Sequence, residues 1–292
     1  MLAVVTGATG GLGFEVASAL AQAGHDVVLA GRNAEKGGAA LARLNLVKPK
    51  GVARFAQLDM ASLASIRAFA AGLDGPVGLL VNNAGVMAVP TRKVTADGFE
   101  LQMGTNYFGH YALTALLLPR LIQSRARVVQ VSSLAHRAAR LNFSDLQGAK
   151  RYRPWVQYGQ SKLAMLMFAL ELNRRAAAAG WPIVSVAAHP GWAVTDIIAN
   201  GPGAGAPGFR ERVMQGAFQW FGQSAAAGAR PILHAALAGG VTGGSYWGPD
   251  GSGERTGAPG LARIMPQALD PEMAARLWER SALLTGVEWP NA

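Results

Sequence analysis

The segment TGATGGLG, residues 6–13, stands between a short valine-bearing run, LAVVT (2–6), and a helix-length stretch. No other feature constrains the fold as strongly. Gly7 permits a tight turn after a strand, Gly11 lets the backbone approach a pyrophosphate, and Gly13 allows the next helix to pack closely on that strand. The helix N-terminus would then turn unpaired N–H groups toward an anion. A glycine triplet means little by itself in a chain with 37 glycines, so its placement after a strand and before a helix carries the argument.

The same strand–helix alternation continues downstream. Short apolar runs at 26–30, 52–58, 77–81, 127–131 and 183–188 read as buried strands, being too short for helices. Helical stretches are expected near 12–23, 33–46, 61–72, 103–123 and 158–179. This pattern predicts an α/β fold with a parallel sheet covered on both faces. Right-handed crossovers make it a doubly wound Rossmann-type domain, with ligands at the carboxyl ends of the strands. A single domain is expected over 1–292, with 1–191 as cofactor-binding and catalytic core. Beyond it, the Gly/Pro-rich loop NGPGAGAPG and the aromatics Trp192, Phe209, Phe218, Trp220 and Phe221 suggest a C-terminal substrate lid over 192–223. Ordinary helix packing accounts for those aromatics equally well. Residues 224–292 supply C-terminal helices and a last strand near 245–248, with Asp270 capping and Pro271 opening the final helix.

Composition narrows the chemistry. With no cysteine, disulfides, thiol nucleophiles and cysteine–zinc sites are excluded. The 5 histidines show no metal-binding spacing, so no metal site is expected. No apolar run reaches the ~18 residues of a membrane span, and the N-terminus lacks a signal-peptide pattern, which favours a cytoplasmic location. The net charge of +10 is carried by scattered residues, among them Arg120, Arg125, Arg127, Arg137 and Arg140. That distribution fits solvated surface and attraction for a phosphate-bearing ligand better than nucleic acid.

The second strand chooses between cofactors. An acidic residue at its end would bind the adenosine ribose and repel a 2′-phosphate. Here LAGRN places Arg32 at that point, where a guanidinium could fork onto the phosphate, with Lys36 one turn later and Asp26 at the strand's far end. NADP is favoured over NAD. Farther on, YGQSK sets Tyr158 and Lys162 four residues apart, on one helical face.

Taken in order, these motifs resemble the short-chain dehydrogenase/reductase family over about residues 2–191. The resemblance rests on TGATGGLG, LDM, NNAG (82–85), TNYFGH, VSS, YGQSK and HPGWAVT (189–195). VSSLAHR and YGQSKLAMLMFALELNRR are similar to retinol-dehydrogenase-like and protochlorophyllide-reductase-like members. The resemblance implies hydride transfer between a nicotinamide and a carbonyl or alcohol. Tyr158 would act as general acid or base, and Lys162 would favour the phenolate and bind the nicotinamide ribose. Ser133 would hydrogen-bond the carbonyl oxygen, and Asn106 would hold a water leading to Lys162. Cofactor contacts are implied for Thr9 and Leu12 beside the three glycines, for Asp59 and Met60, and for Asn83, Ala84 and Gly85. Pro190, Gly191 and Thr195 would border the nicotinamide. Ser132 remains an alternative to Ser133, Tyr107 and Tyr111 read as packing residues, and His189 reads as orienting its loop.

The expected substrate is a small-molecule ketone, aldehyde or alcohol, bulky and apolar. Homo-oligomerisation is left open. The rival readings are a non-catalytic NADP(H)-binding sensor or scaffold, an isomerase or epimerase of the same fold, and a protein that uses its positive charge to bind acidic surfaces.

Overall fold

A computed structural model describes residues 1–193 and 223–290. Their strands are β1 (Leu2–Thr6), β2 (Asp26–Gly31), β3 (Ala53–Gln57), β4 (Leu79–Asn82), β5 (Arg127–Val131), β6 (Val184–Ala188), β7 (Tyr246–Pro249) and β8 (Pro259–Leu261). They form one sheet in the order β3-β2-β1-β4-β5-β6-β7-β8. All neighbours pair in parallel except β7 and β8, which are antiparallel. The helices between them are α1 (Gly11–Gln22), α2 (Ala34–Leu46), α3 (Leu63–Ala71), α4 (Gly109–Gln123), α5 (Pro154–Ala179), α6 (Ala225–Leu237) and α7 (Pro271–Thr285).

Parity along the strands explains why the apolar runs are unbroken. Val4, Val28, Leu80 and Val128 point into one core with Ile66 of α3, Leu113 of α4, Leu163 of α5 and Leu277 of α7. Their neighbours Val5, Val27, Leu79 and Val129 point the other way, toward Leu20 of α1, Leu44 of α2 and Ile232 of α6. Both faces are dry, so an alternating polar residue would be buried without a partner.

The expected doubly wound α/β fold is the fold observed. Boundaries differ where special geometry intervenes. The helix expected at 103–123 opens with a turn, Leu101–Met103, and a π-helical stretch, Gly104–Phe108, before α4 begins. α5 starts at Pro154, four residues earlier than the expected Tyr158, because a proline suits the first helical turn. The short strand β8 was not expected: Pro-Gly-Leu carries no strand signal, and its pairing with β7 defines it. Asp270 caps α7 through the N–H groups of Glu272 and Met273, as expected. Most of the proposed lid, 194–222, lies outside the described residues, together with Thr195, Phe209, Phe218, Trp220 and Phe221.

Candidate active site

The sheet order places β1 between β2 and β4, so the chain leaves the sheet in opposite directions on either side of β1. At that divergence, beyond the carboxyl ends of the strands, lies a cavity of about 400 Å³. It is lined by Gly7, Thr9, Gly10, Gly11, Leu12 and Gly13 from the first turn, and by Arg32, Asn33 and Lys36 after β2. Leu58, Asp59 and Met60 follow β3, and Asn83, Ala84, Gly85 and Val86 follow β4.

The first turn is shaped for an anion. Gly7 and Gly11 both have positive φ, +67° and +50°. A side chain on Gly13 would collide with the Gly7 carbonyl and the Asn83 amide, so only glycine fits there. Gly10 caps α1 without offering a side-chain acceptor, whereas Asn33, Ser62, Ser224 and Asp270 each accept N–H groups at the starts of α2, α3, α6 and α7. The first N–H groups of α1 are thus left for a ligand, as a pyrophosphate requires. Arg32 and Lys36 are exposed at the cavity edge, and Asn33 holds the Lys36 N–H at 2.8 Å.

The floor between the two ends is built by Asn83, which the motifs singled out, and by Thr6 and His110, which were given no part. Thr6 Oγ1 accepts from the N–H groups of Asn83 and Ala84, each at 2.9 Å, while the Asn83 amide donates to the Thr6 carbonyl at 2.8 Å. His110 donates through Nδ1 to the carbonyl of Asn106 at 2.8 Å, which leaves Nε2 to accept from Thr6 Oγ1 at 3.0 Å. Burial pushes His110 down to about 3, so it stays a neutral strut. Thr6 stood within the quoted glycine segment, but nothing in one sequence marks a strand-end threonine as a clamp.

Ser133, Tyr158, Lys162 and Asn106 come together at the Gly85 end of the cavity. A side chain on Gly85 would sit 3.1 Å from Asn106 Oδ1 and 3.6 Å from Lys162 Nζ. Tyr158 and Lys162 share the inner face of α5 and are almost wholly buried. Burial pushes the Tyr158 phenol above its ordinary value, opposed by its hydrogen bond with Ser133. This reverses the expected balance: burial, and not the Lys162 charge, sets the direction, with Nζ 6.0 Å from the ring centre. Lys162 is itself pushed down to about 8 by burial, and its Nζ donates to the Val131 carbonyl at 2.9 Å.

The structure also separates the two serines. Ser132 Oγ donates to the Lys162 carbonyl at 2.8 Å and serves to pin α5. Ser133 caps the turn Leu134–Ala138 through a longer contact, 3.2 Å from the Ala135 nitrogen, and turns toward Tyr158. Asn106, in the π-helical stretch, is held by both backbone groups of Val86 at 2.8 and 2.9 Å and by Ser161 Oγ at 2.9 Å. Tyr107 and Tyr111 pack in the core with Phe168, as expected.

His189, Pro190 and Gly191 follow β6. His189 Nδ1 accepts from the Gly191 N–H at 3.1 Å, which agrees with its expected loop-orienting part. Pro190 and Leu12 both lie against the same glycine of α6, Gly228, which sets the turn after β6 beside the start of α1. No group of metal-binding side chains occurs among the described residues, and no helix there is long and apolar enough to cross a membrane.

Comparison with known proteins agrees with this geometry. Residues 1–202 match the family described as short chain dehydrogenase. The chain is 38% identical to polyprenol dehydrogenase of Mus musculus, covering 98% of this chain and 84% of that one. It is also 38% identical to retinol dehydrogenase 11 of Homo sapiens, covering 97% and 85%. A crystal structure of an uncharacterized protein from Mycobacterium paratuberculosis superposes with a TM-score of 0.80 at 40% identity, covering 99% of this chain and 94% of that one.

Proposed function

Because the chain belongs to the short chain dehydrogenase family of NAD(P)-dependent oxidoreductases, we propose that it interconverts a bulky apolar carbonyl and its alcohol with NADP as cofactor. The observation that carries this reading is the hydrogen-bonded Ser133–Tyr158 pair, its phenol buried and Lys162 one turn away, at the end of a cavity whose opposite edge bears Arg32 and Lys36.

The first turn fits a dinucleotide: the uncapped N–H groups of α1 would meet the pyrophosphate, and Gly7 and Gly13 let the turn fold tightly against Asn83 and Ala84. Asp59 and Met60 would flank the adenine, while Arg32 and Lys36 would neutralise a 2′-phosphate. A nicotinamide bound there would supply or accept the hydride. Ser133 would then donate a hydrogen bond to the substrate oxygen as negative charge gathers there. Tyr158, held protonated by burial, would give its proton to that oxygen, and the same atom would take it back in the oxidative direction. Lys162, cationic below about pH 8, would stabilise the phenolate left behind. Asn106 would keep the loop at Val86 and the start of α5 in register through its bonds to Val86 and Ser161.

The apolar substrate class is supported by the names of the relatives, which are dehydrogenases of polyprenol and retinol. It is supported also by Trp155, an exposed ring set edge-on to Tyr158 at 6.0 Å. The test is a fluorescence titration of nucleotide-free protein with NADPH and NADH in parallel, followed by oxidation of NADPH with long-chain aldehydes and ketones. Preference for NADPH together with turnover of apolar carbonyls is expected. Equal affinity for both nucleotides would overturn the NADP assignment, and best turnover with small charged substrates would overturn the apolar one.

A further inference from the structure

Glu254 lies far from the cavity in sequence and belongs to none of the motifs. It ends a tight turn, Ser252–Glu254, with φ of +58°, a left-handed conformation that a non-glycine residue keeps only when its surroundings fix it. Its carboxylate explains what fixes it. One oxygen receives the His189 Nε2–H at 2.9 Å and the Arg137 guanidinium at 2.7 Å, and the other accepts the Arg263 N–H at 3.0 Å.

One side-chain partner leads to the turn that Ser133 caps, the other to the Pro190–Gly191 turn expected beside the nicotinamide. His189 is wholly buried and carries its proton on Nε2, because Nδ1 accepts from Gly191. It thus transmits the position of Glu254 to the Pro190–Gly191 turn. The next residue on each side strengthens that link: the Trp192 N–H donates to the Arg255 carbonyl at 2.8 Å. On the other side, Arg137 stands in the turn that Ser133 caps, and it also donates to the Gly253 carbonyl at 3.2 Å. His136 in that same turn donates through Nδ1 to the Ser133 carbonyl at 2.7 Å.

We propose that Glu254 is a positioning residue for the carbonyl–alcohol reaction, tying the Ser133 turn to the Pro190–Gly191 turn and so setting the gap between the two walls of the reaction end. This rests on the oxidoreductase reading given above. The adenosine end is built from other segments, so its grip on the cofactor should survive when this tie is cut.

Glu254→Gln should lower kcat for carbonyl reduction at least tenfold while the Kd for NADPH changes less than threefold. The deuterium isotope effect on kcat with 4-deuterated NADPH should rise, because misplacement slows hydride transfer itself. His189→Asn keeps an acceptor for Gly191 but loses the bond to Glu254. It should reproduce the same split, and the double variant should be no worse than either single one. Amide exchange of the peptide containing Gly191 should quicken at least tenfold in Glu254→Gln. A kcat within twofold of the parent, or a loss that appears wholly as weaker NADPH binding, would overturn the proposal. Should Glu254→Gln fail to fold, His189→Asn decides by the same readouts. If the parent protein reduces no carbonyl, the oxidoreductase reading fails, while unchanged exchange at Gly191 would separately sink the tie.

Discussion

The two ends of the cavity are built by opposite means. At the proposed adenosine end, Arg32 directly after β2 and Lys36 in the first turn of α2 stand in solvent. The bonds there, from the Gln57 amide to the Arg32 carbonyl and from the Lys36 N–H to Asn33, hold their backbone. At the reaction end, Asn106, Tyr158 and Lys162 are 0%, 7% and 5% exposed and are held through Val86, Ser161, Ser132 and Val131. On the proposed reading a phosphate would bring its own charge, so exposed cations could meet it. Proton transfer needs a fixed geometry and a shifted phenol, and those need burial.

The largest expected effect breaks the reaction end alone. Tyr158→Phe should lower turnover about 10²–10⁴-fold, the range for loss of a positioned general acid, with NADPH binding nearly intact. Near-normal carbonyl reduction by that variant would end the mechanism. Ser133→Ala should cost about 10²-fold in kcat by removing a donor to the developing oxyanion. Ser132→Ala is its control: it should leave kcat within a few-fold and cost about 1 kcal/mol of stability, read by chemical unfolding. Equal kinetic losses in both serine variants would erase the distinction between them.

Arg32→Ala probes the other end. NADPH affinity should fall roughly 10- to 100-fold, the worth of a charge-assisted hydrogen-bond pair, with NADH affinity unchanged. The smallest effect is thermal. Lys162 is pushed down to about 8 in the folded protein, against an ordinary value of 10.5. Between those values the unfolded chain binds more protons, so this group makes stability rise as pH climbs from about 8 toward 10.5. Lys162→Met should abolish that rise and increase Tm by about 2–5 °C at neutral pH, while turnover is lost. A lower Tm would mean that the bond to Val131 outweighs the desolvation of the ammonium.

The helical repeat put Tyr158 and Lys162 on one face, but that spacing proves little alone, and their expected catalytic parts came from the family resemblance. Neither exposed the direction of the Tyr158 shift, since burial depends on what packs around α5. The resemblance favoured Ser133 over Ser132, but only the packing gives each hydroxyl its partner, the Lys162 carbonyl for Ser132 and the Tyr158 phenol for Ser133. Thr6, Ser161 and Glu254 were missed for the same reason: each acts through partners distant in the chain.

What the sequence determined alone was the alternation of strands and helices, the glycine turn after β1 and the cation after β2. These are local properties, written in periodicity, backbone freedom and charge within a few residues. The tertiary structure decided which side chains are dry, which hydroxyl faces Tyr158, and which carboxylate ties the Ser133 turn to Gly191. Those outcomes depend on contacts between segments as far apart as Arg137 and Glu254, and no local pattern can encode a distance through space.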